Sequence, residues 1–225
     1  MVEMRTVVIG DVHGCYNELK EMIKTLEAGG KYIKGVDKLV FLGDYIDRGK
    51  DSRLAIQFIR NLQENYDNVV ALMGNHEDML LNYLYEDDAT WTWNGFETTM
   101  ESYKGFDKQF RSDVQWMKAL PLYHEDDNFV YVHAGIDVYK PMEEQDEHTL
   151  LWVREDFIYN PKAYHKQVVF GHTPVVFLDE YGDNKPVYTY THNIDIDTGC
   201  VYGGSLTALI IDDGEVEGFY QVSKE

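Results

Sequence analysis

The sequence predicts an α/β fold in which short buried strands alternate with amphipathic helices. Two observations lead to this prediction. In the first half of the 225-residue chain, a strand, a glycine-rich loop and a helix follow one another three times, a pattern typical of α/β architectures. In the second half, six apolar runs with strand-like composition succeed one another, and we expect them to form a more antiparallel, β-rich layer.

The three strand-loop-helix units have short apolar strands and helices whose apolar residues recur at helical spacing. They are, in order, strand 6–9 with helix 16–26, strand 38–42 with helix 52–62, and strand 69–72 with helix 78–85. Because the carboxyl ends of parallel strands share one edge of a sheet, we expect the three loops to converge there.

The strands predicted for the second half are 129–132, 168–170, 187–191, 193–196, 206–211 and 216–222. Between the halves, residues 86–116 carry Trp91, Trp93 and Trp116 among polar residues. This composition predicts a helical insertion or cap, and the plainer interpretation is a surface excursion with a small aromatic core of its own. At this chain length we expect residues 1–225 to form a single domain.

Composition and charge exclude several classes of protein. The hydrophobic content of 44% and aromatic content of 14% exclude a disordered or fibrous chain. The 40 acidic and 20 basic residues give a net charge of −20, which disfavours nucleic acid and anionic membranes as partners. The first 30 residues lack a signal-peptide pattern, and no apolar run approaches the ~20 residues of a membrane span. We therefore expect a cytoplasmic protein.

The two cysteines, Cys15 and Cys200, do not form a CxxC pair. This spacing disfavours a zinc site built on cysteines. We expect two free thiols, and their sequence context assigns them no function.

Residues of metal-ligand type follow five predicted strands. They are Asp11 and His13 in GDVHG, Asp44 in GDYIDRG, Asn75 and His76 in GNHE, His133 in HAG, and His172 in GHT. Each cluster alone is more often a turn or a core histidine, but their concurrence favours a metal site. Oxygen and imidazole donors without thiolates suit Mn²⁺, Fe or Zn²⁺. A shared carboxylate would let two ions lie ~3.5–4 Å apart.

The motifs GDVHG, GDYIDRG, GNHE, HAG and GHTP, in this order, resemble the signature set of the phosphoprotein phosphatase family of calcineurin-like metallophosphoesterases. The resemblance is strongest to bacterial and phage members of the serine/threonine phosphatase type. It extends through Asn94-Gly95 to Ser102-Tyr103 and through Asp197-Thr198-Gly199 to Ala208. It implies the calcineurin-like fold, a two-sheet mixed β-sandwich flanked by α-helices.

The resemblance also implies roles for individual residues. The implied metal ligands are Asp11, His13 and Asp44 for the first ion and Asp44, Asn75, His133 and His172 for the second. His76 would be the general acid, and Asp47 would pair with it and raise its proton affinity. Arg48 and Arg154, together with Asn75, would contact the phosphate oxygens. The implied reaction is direct attack by a metal-bridging hydroxide, with two divalent ions, by preference Mn²⁺, and no phosphoenzyme.

Elementary chemistry agrees with these roles. A histidine with a near-neutral pKa is a good proton donor, and an adjacent carboxylate keeps it charged. The planar guanidinium of arginine matches phosphate oxygens. Two divalent ions and two arginines against Asp11 and Asp44 would leave a local surplus of about four positive charges. Such a site attracts a phosphate group that the acidic surface repels.

Four functions can be weighed on the sequence. A phosphatase for phosphoserine or phosphothreonine in proteins, with phosphotyrosine and small phosphoesters as further substrates, is favoured by Asp47. A symmetrical diadenosine tetraphosphate hydrolase is the alternative. It is less favoured because such enzymes tend to carry another residue before the arginine, where this chain has Asp47. A nuclease or phosphodiesterase often has a GHxH motif, whereas Thr173 and Pro174 follow His172 here. A non-catalytic module would lack a ligand or the acid, and none is missing.

Overall fold

Two five-stranded β-sheets pack face to face, and helices cover their outer faces, in a computed structural model that describes residues 5–178 and 184–224. The strands are β1 (Thr6–Ile9), β2 (Lys38–Phe41), β3 (Val69–Ala71), β4 (Tyr123–Glu125), β5 (Phe129–Val132), β6 (Gln167–Phe170), β7 (Val187–Tyr188), β8 (Ile194–Asp195), β9 (Ser205–Asp212) and β10 (Glu215–Ser223). The helices are α1 (Tyr16–Ala28), α2 (Ser52–Asn65), α3 (Asn75–Tyr85), α4 (Phe96–Tyr103), α5 (Lys108–Met117), α6 (Glu147–Trp152) and α7 (Glu155–Ile158).

Both sheets are mixed. The first has the order β10-β9-β1-β2-β3, in which β1, β2 and β3 are parallel and β9 and β10 are antiparallel. The second has the order β4-β5-β6-β8-β7, in which β5, β6 and β8 are parallel and the edge strands are antiparallel. The α/β prediction is therefore confirmed.

The predicted antiparallel layer is partly wrong. The last two strands, β9 and β10, join the first sheet beside β1 instead of forming a layer with the other late strands. The centre of the second sheet is parallel. Apolar runs show that a segment is a buried strand, but they do not reveal which strand it pairs with.

Side-chain alternation along the strands produces the layers. In β1, Val8 belongs to the cluster between the two sheets, while Val7 and Ile9 face the helices of the first half. In β5, Tyr131 lies in the inter-sheet cluster, and Val130 packs in the cluster that includes residues of α6 and α7. Strands buried on both faces explain the continuous apolar runs in the sequence.

The third predicted helix begins earlier than expected. Helix α3 starts at Asn75 rather than 78, because Gly74 adopts an extended backbone and Glu77 accepts its N–H in a capping arrangement. The early start places Asn75 and His76 in the first turn of the helix, directly beyond the carboxyl end of β3.

The segment 86–116 is helical and packs on the body of the protein. It contains a 3₁₀ turn (Thr90–Trp93), α4 and most of α5. Trp91 and Tyr103 are buried in the same apolar cluster as residues of α1 and α2, whereas Trp93 is 85% exposed. The interpretation as a surface excursion with its own aromatic core is therefore wrong.

The sequence patterns miss three short elements, β4, α6 and α7. They span only three, six and four residues, too few to show a period. Among the described residues, no helix combines the length and apolar character that a membrane span requires.

Candidate active site

The ligand-type side chains from both sheets meet at one edge of the sandwich. Nε2 of His133, after β5, lies 2.9 Å from Oδ1 of Asn75, after β3. Nδ1 of His172, after β6, lies 2.8 Å from the same oxygen. Three residues far apart in sequence thus present their donor atoms to one point.

Asp44 lies between this group and a second one. One of its oxygens lies 3.5 Å from Nε2 of His133, and the other lies 3.2 Å from Nε2 of His13. The donor atoms of Asp44, His133 and His172 lie within 4.8 Å of one another, as do those of His13, Asp44 and His76. Asp44 is the residue that the two groups share, which is the arrangement expected of a bridging ligand.

The backbone sets the orientation of two of these histidines. Nδ1 of His13 lies 2.8 Å from the carbonyl oxygen of Ile46, and Nδ1 of His133 lies 3.0 Å from that of Leu42. Since a carbonyl only accepts, each Nδ1 carries a proton, and when the ring is neutral the lone pair of Nε2 faces the site. Burial lowers the pKa of His133 to about 4, so this imidazole is neutral, as a metal ligand must be.

The charges at the site act on each other across short distances. Burial acts to raise the pKa of Asp44, but the imidazoles of His133, His76 and His13 hold it well below its usual range. For His13, burial lowers the pKa, and the charge and hydrogen bond of Asp44 outweigh this effect. Asp44 is therefore ionised at the centre of the site.

Asp11 lies against the backbone of His172, close enough to Asp44 to be affected by its charge. Its two oxygens accept the backbone N–H of His172 at 3.3 and 3.2 Å, and its carboxylate belongs to neither group of converging donors. Burial and the charges of Asp197 and Asp44 raise the pKa of Asp11 well above its usual value. Its assignment to the first metal stays a prediction.

Asp47 and His76 form a buried pair. Nδ1 of His76 lies 2.7 Å from Oδ2 of Asp47, and Nε2 of His76 is buried without a hydrogen-bond partner among the described residues. Burial lowers the pKa of His76, while the charge of Asp44 and the hydrogen bond with Asp47 raise it to a smaller extent. The contribution of Asp47 has the predicted sign, although burial outweighs it, and the role of this pair stays a prediction.

One arginine lies beside each histidine group. Nη1 of Arg48 lies 2.6 Å from Nε2 of His13. Nη1 of Arg154 donates to the carbonyl of His172 and to the hydroxyl of Thr173, both at 3.0 Å. The expected contact of these guanidinium groups with phosphate oxygens stays a prediction.

Glu77 is a functional residue that the sequence analysis missed. Its carboxylate accepts four backbone N–H groups at 2.8 to 3.2 Å, those of Asp44, Tyr45, Ile46 and Gly74. Burial and the charge of Asp44 act to raise its pKa, and the N–H groups of Tyr45 and Ile46 act to lower it because they stabilise the ionised form. Glu77 ties the GDYIDRG loop to the start of α3, and its presence in the GNHE motif is the signal that could have revealed it.

The residues present fit divalent metal ions. Asp11, Asp44 and Asp197 are buried close enough to perturb one another, and burial raises the pKa of Asp197 to about 6. Buried carboxylates beside neutral imidazoles require a compensating cation. Nε2 of His172 is also buried without a partner in the described part of the chain. Oxygen and nitrogen donors of this kind suit Mn²⁺, Fe and Zn²⁺ alike.

The two cysteines lie outside both histidine groups. Cys15 and Cys200 are buried free thiols, as expected, and the fold brings them together beside Glu18. Nζ of Lys224 lies 3.5 Å from the sulfur of Cys15.

Solved structures share this fold. A provisionally assigned diadenosine tetraphosphatase superposes with a TM-score of 0.72 at 20% identity, over 99% of this chain and 94% of the other. A protein serine/threonine phosphatase from Saccharomyces cerevisiae superposes with a TM-score of 0.68 at 16% identity, over 100% of this chain and 81% of the other. At such identities the likeness concerns the fold alone.

Sequence comparison is more specific. The family of calcineurin-like phosphoesterases matches residues 4–207. A curated relative from Geobacillus sp. (strain WCH70), named bis(5'-nucleosyl)-tetraphosphatase PrpE [asymmetrical], is 30% identical over 236 residues, which cover 92% of this chain and 90% of the relative. Families of this type use divalent metal ions, and the buried histidine and aspartate groups described above fit that use. The chain therefore belongs to the calcineurin-like phosphoesterase family of metallophosphoesterases.

Proposed function

We propose that this metallophosphoesterase hydrolyses a dinucleoside polyphosphate, with asymmetrical cleavage of a dinucleoside tetraphosphate as the reaction. The observation that carries this proposal is a groove of about 850 Å³ that has Arg48 in its lining. Four lysines also line the groove, namely Lys20, Lys24, Lys50 and Lys224.

The charge of this groove contrasts with that of the whole chain. Five cations and three carboxylates line it, a difference of plus two, on a protein whose net charge is −20. A single phosphate monoester needs only the two arginines beside the histidine groups. A chain of phosphates extends further, and its remaining negative charges fit a cationic groove that Arg48 shares with four lysines.

The relatives support this substrate class. The Geobacillus protein carries the name of an asymmetrical dinucleoside tetraphosphatase, and a protein of Bacillus subtilis (strain 168) with the same name is 32% identical over 230 residues. These names differ from both substrates that the sequence analysis weighed, the phosphoprotein and the symmetrically cleaved dinucleotide.

The residues of the site would bind the metal ions, contact the phosphate oxygens and transfer a proton. Asp11, His13 and Asp44 would hold one divalent ion, and Asp44, Asn75, His133 and His172 the other. When bound, these ions polarise the phosphoryl group and lower the pKa of water. Arg48, Arg154 and the amide of Asn75 would contact the phosphate oxygens. His76 would deliver a proton from Nε2 to the leaving oxygen while Asp47 holds its Nδ1.

A phosphoprotein phosphatase is the second candidate, and the Asp47–His76 pair favours it. A nucleotide leaves as a phosphate whose second pKa is about 6, so it departs without much help from an acid. The alkoxide of serine is far more basic and requires a proton as it leaves. A buried histidine with its Nδ1 held and its Nε2 free is suited to that task.

A side-by-side assay with added Mn²⁺ distinguishes the candidates. We expect kcat/KM for diadenosine tetraphosphate to exceed that for phosphoserine and phosphotyrosine peptides by at least about tenfold, with ATP and AMP as products. Two molecules of ADP would show symmetrical cleavage instead, and a preference for a peptide would overturn the proposal.

The groove can be tested separately. We expect Lys50→Met combined with Lys20→Met to raise KM for diadenosine tetraphosphate and to leave KM for p-nitrophenyl phosphate unchanged. Lys140→Met is the matched control, because Lys140 is a surface lysine paired with Asp137 outside the groove. An equal effect on both substrates would contradict the assignment of the groove to the distal phosphates.

A further inference from the structure

Two residues of the 86–116 segment bind the carboxylate that holds the general acid. Nε1 of Trp91 donates to both oxygens of Asp47, at 3.0 and 2.9 Å. The hydroxyl of Thr99 donates to Oδ1 of Asp47 at 2.7 Å. Together with Nδ1 of His76 at 2.7 Å, these donors bind both oxygens of the carboxylate. All four residues are buried.

Thr99 also binds the backbone of the same aspartate. Its hydroxyl oxygen accepts the N–H of Asp47 at 2.8 Å. The side chain of Thr99 therefore forms hydrogen bonds with both the main chain and the carboxylate of Asp47. The next residue is held as well, because the N–H of Arg48 donates to the carbonyl of Gly95 at 3.3 Å. The segment therefore contacts two consecutive residues of the GDYIDRG loop.

The backbone at these two residues needs such support. Asp47 has φ +70° and Arg48 has φ +64°, in the left-handed region that aspartate adopts occasionally and arginine rarely. For a residue such as Arg48 this region costs about 1–2 kcal/mol, and the conformation persists only where its surroundings impose it. Contacts from the 86–116 segment are part of those surroundings.

Packing alone does not explain why the indole of Trp91 donates its hydrogen bond to Asp47. Trp91 packs against the rings of Tyr83 and Phe96, with centroid distances of 5.4 and 5.5 Å, and this contact needs no particular polar group. A buried indole N–H needs an acceptor, which any carbonyl could supply. Here the acceptor is the charged group that contacts His76, and a hydrogen bond to a charge is about twice as strong as a neutral one.

We propose that Trp91 and Thr99 are positioning residues for proton transfer: they fix Asp47 and thereby hold the imidazole of His76 with Nε2 toward the leaving oxygen. This inference rests on the role of His76 in the proposed function. It gives the 86–116 segment a part in the chemistry although none of its residues reaches the reacting atoms.

The kinetic test uses two aryl phosphates that differ in their need for an acid. We expect Trp91→Phe and Thr99→Val to lower kcat for phenyl phosphate by about 10- to 100-fold, below the 10²–10⁴-fold that a whole acid contributes. For p-nitrophenyl phosphate, whose leaving group needs little protonation, kcat should change less than about threefold, with KM unchanged for both substrates.

Matched controls lie next to the tested residues. Trp93→Phe removes an indole that is 85% exposed, and Thr92→Val removes a hydroxyl that donates to the carbonyl of Ala89, away from the GDYIDRG loop. Both should keep kcat for phenyl phosphate within about twofold of the parent enzyme. Metal content is measured on every variant, so that a loss of ions is not mistaken for a loss of positioning.

A spectroscopic measurement tests the contact without turnover. In ¹H–¹⁵N spectra of the protein with diamagnetic Zn²⁺, the indole proton of Trp91 should lie downfield of that of Trp93, because it donates to a carboxylate. Asp47→Asn should move the Trp91 signal upfield and leave the Trp93 signal in place. An unmoved Trp91 signal would overturn the inference even if a kinetic variant folds poorly.

His76→Asn separates this inference from the proposed function. In one outcome, His76→Asn lowers kcat selectively for phenyl phosphate, while Trp91→Phe and Thr99→Val affect both substrates equally or neither. The positioning role is then refuted, and the assignment of His76 as the general acid is retained. If His76→Asn itself shows no selectivity, the acid assignment fails and the inference fails with it.

Discussion

Nε2 of His133 lies 2.9 Å from Oδ1 of Asn75, although the two residues are 58 positions apart and follow strands of different sheets. The contact depends on the packing of one sheet on the other through a shared apolar cluster. The ligand-type atoms of Asn75 and His133 therefore meet because the two sheets pack together. The geometry of this pair is only as rigid as the interface between the sheets.

Loss of the shared carboxylate should remove both metal ions. Asp44 is the residue common to the two groups of donors, so Asp44→Asn should lower the metal content from two ions per chain toward none, as measured by mass spectrometry on the dialysed protein. Asp212→Asn, at the opposite end of the first sheet in an ion pair with Arg5, should retain two. Two ions per chain in Asp44→Asn would refute the bridging role.

Glu77→Gln should loosen the metal site without removing a ligand. The amide of glutamine cannot accept four backbone N–H groups as the carboxylate does. We expect metal affinity to fall about 10- to 100-fold and the free energy of unfolding to fall by about 1–3 kcal/mol. Metal titration and urea unfolding measure the two effects, and Glu64→Gln, on the surface of α2, is the control.

The activity should depend on the planar geometry of the guanidinium groups of Arg48 and Arg154, and not on their charge alone. Arg48→Lys and Arg154→Lys keep the charge but lose the planar fork, and we expect kcat/KM to fall about tenfold or more for either change. Steady-state assays combined with metal analysis check this result. Full activity in Arg154→Lys would show that its bonds to His172 and Thr173 serve the fold only.

His124 should couple stability to pH. Nε2 of His124 lies 3.1 Å from Nζ of Lys38, which links strand β4 of the second sheet to β2 of the first. Burial, and then the charge of Lys38, lower the pKa of His124. The unfolded chain therefore takes up a proton at this residue more readily than the folded one, and stability is lost as the pH falls below about 6.5.

Urea unfolding at pH 7.5 and 5.5 measures this contribution as a difference between proteins. The loss of stability on acidification should be smaller in His124→Gln than in the parent chain, whereas His165→Gln, at an exposed position, should not change it. An identical loss in His124→Gln and the parent would contradict the prediction.

Local features of the sequence were sufficient for much of the fold and for the composition of the site. Apolar runs located β1, β2 and β3 because strands buried on both faces leave a continuous apolar signal. The polar residues after those strands pointed to a metallophosphoesterase because the ligand types and their flanking glycines recur in fixed local motifs. The fold class and the family follow from these features.

The roles of Trp91, Thr99 and Glu77 did not follow from local features. A tryptophan or threonine in a polar segment has no pattern that reveals which carboxylate it contacts 44 or 52 positions away. Likewise, the apolar run of β9 does not show that it pairs with β1.

The sequence by itself determined which strands are buried and which ligand-type residues end them, since periodicity and turn chemistry act between near neighbours. Only the tertiary structure decided that β9 and β10 join the first sheet, and that the 86–116 segment binds Asp47. Those contacts depend on how two sheets and a helical segment pack together, and the free energy of that packing is summed over residues distant in the chain.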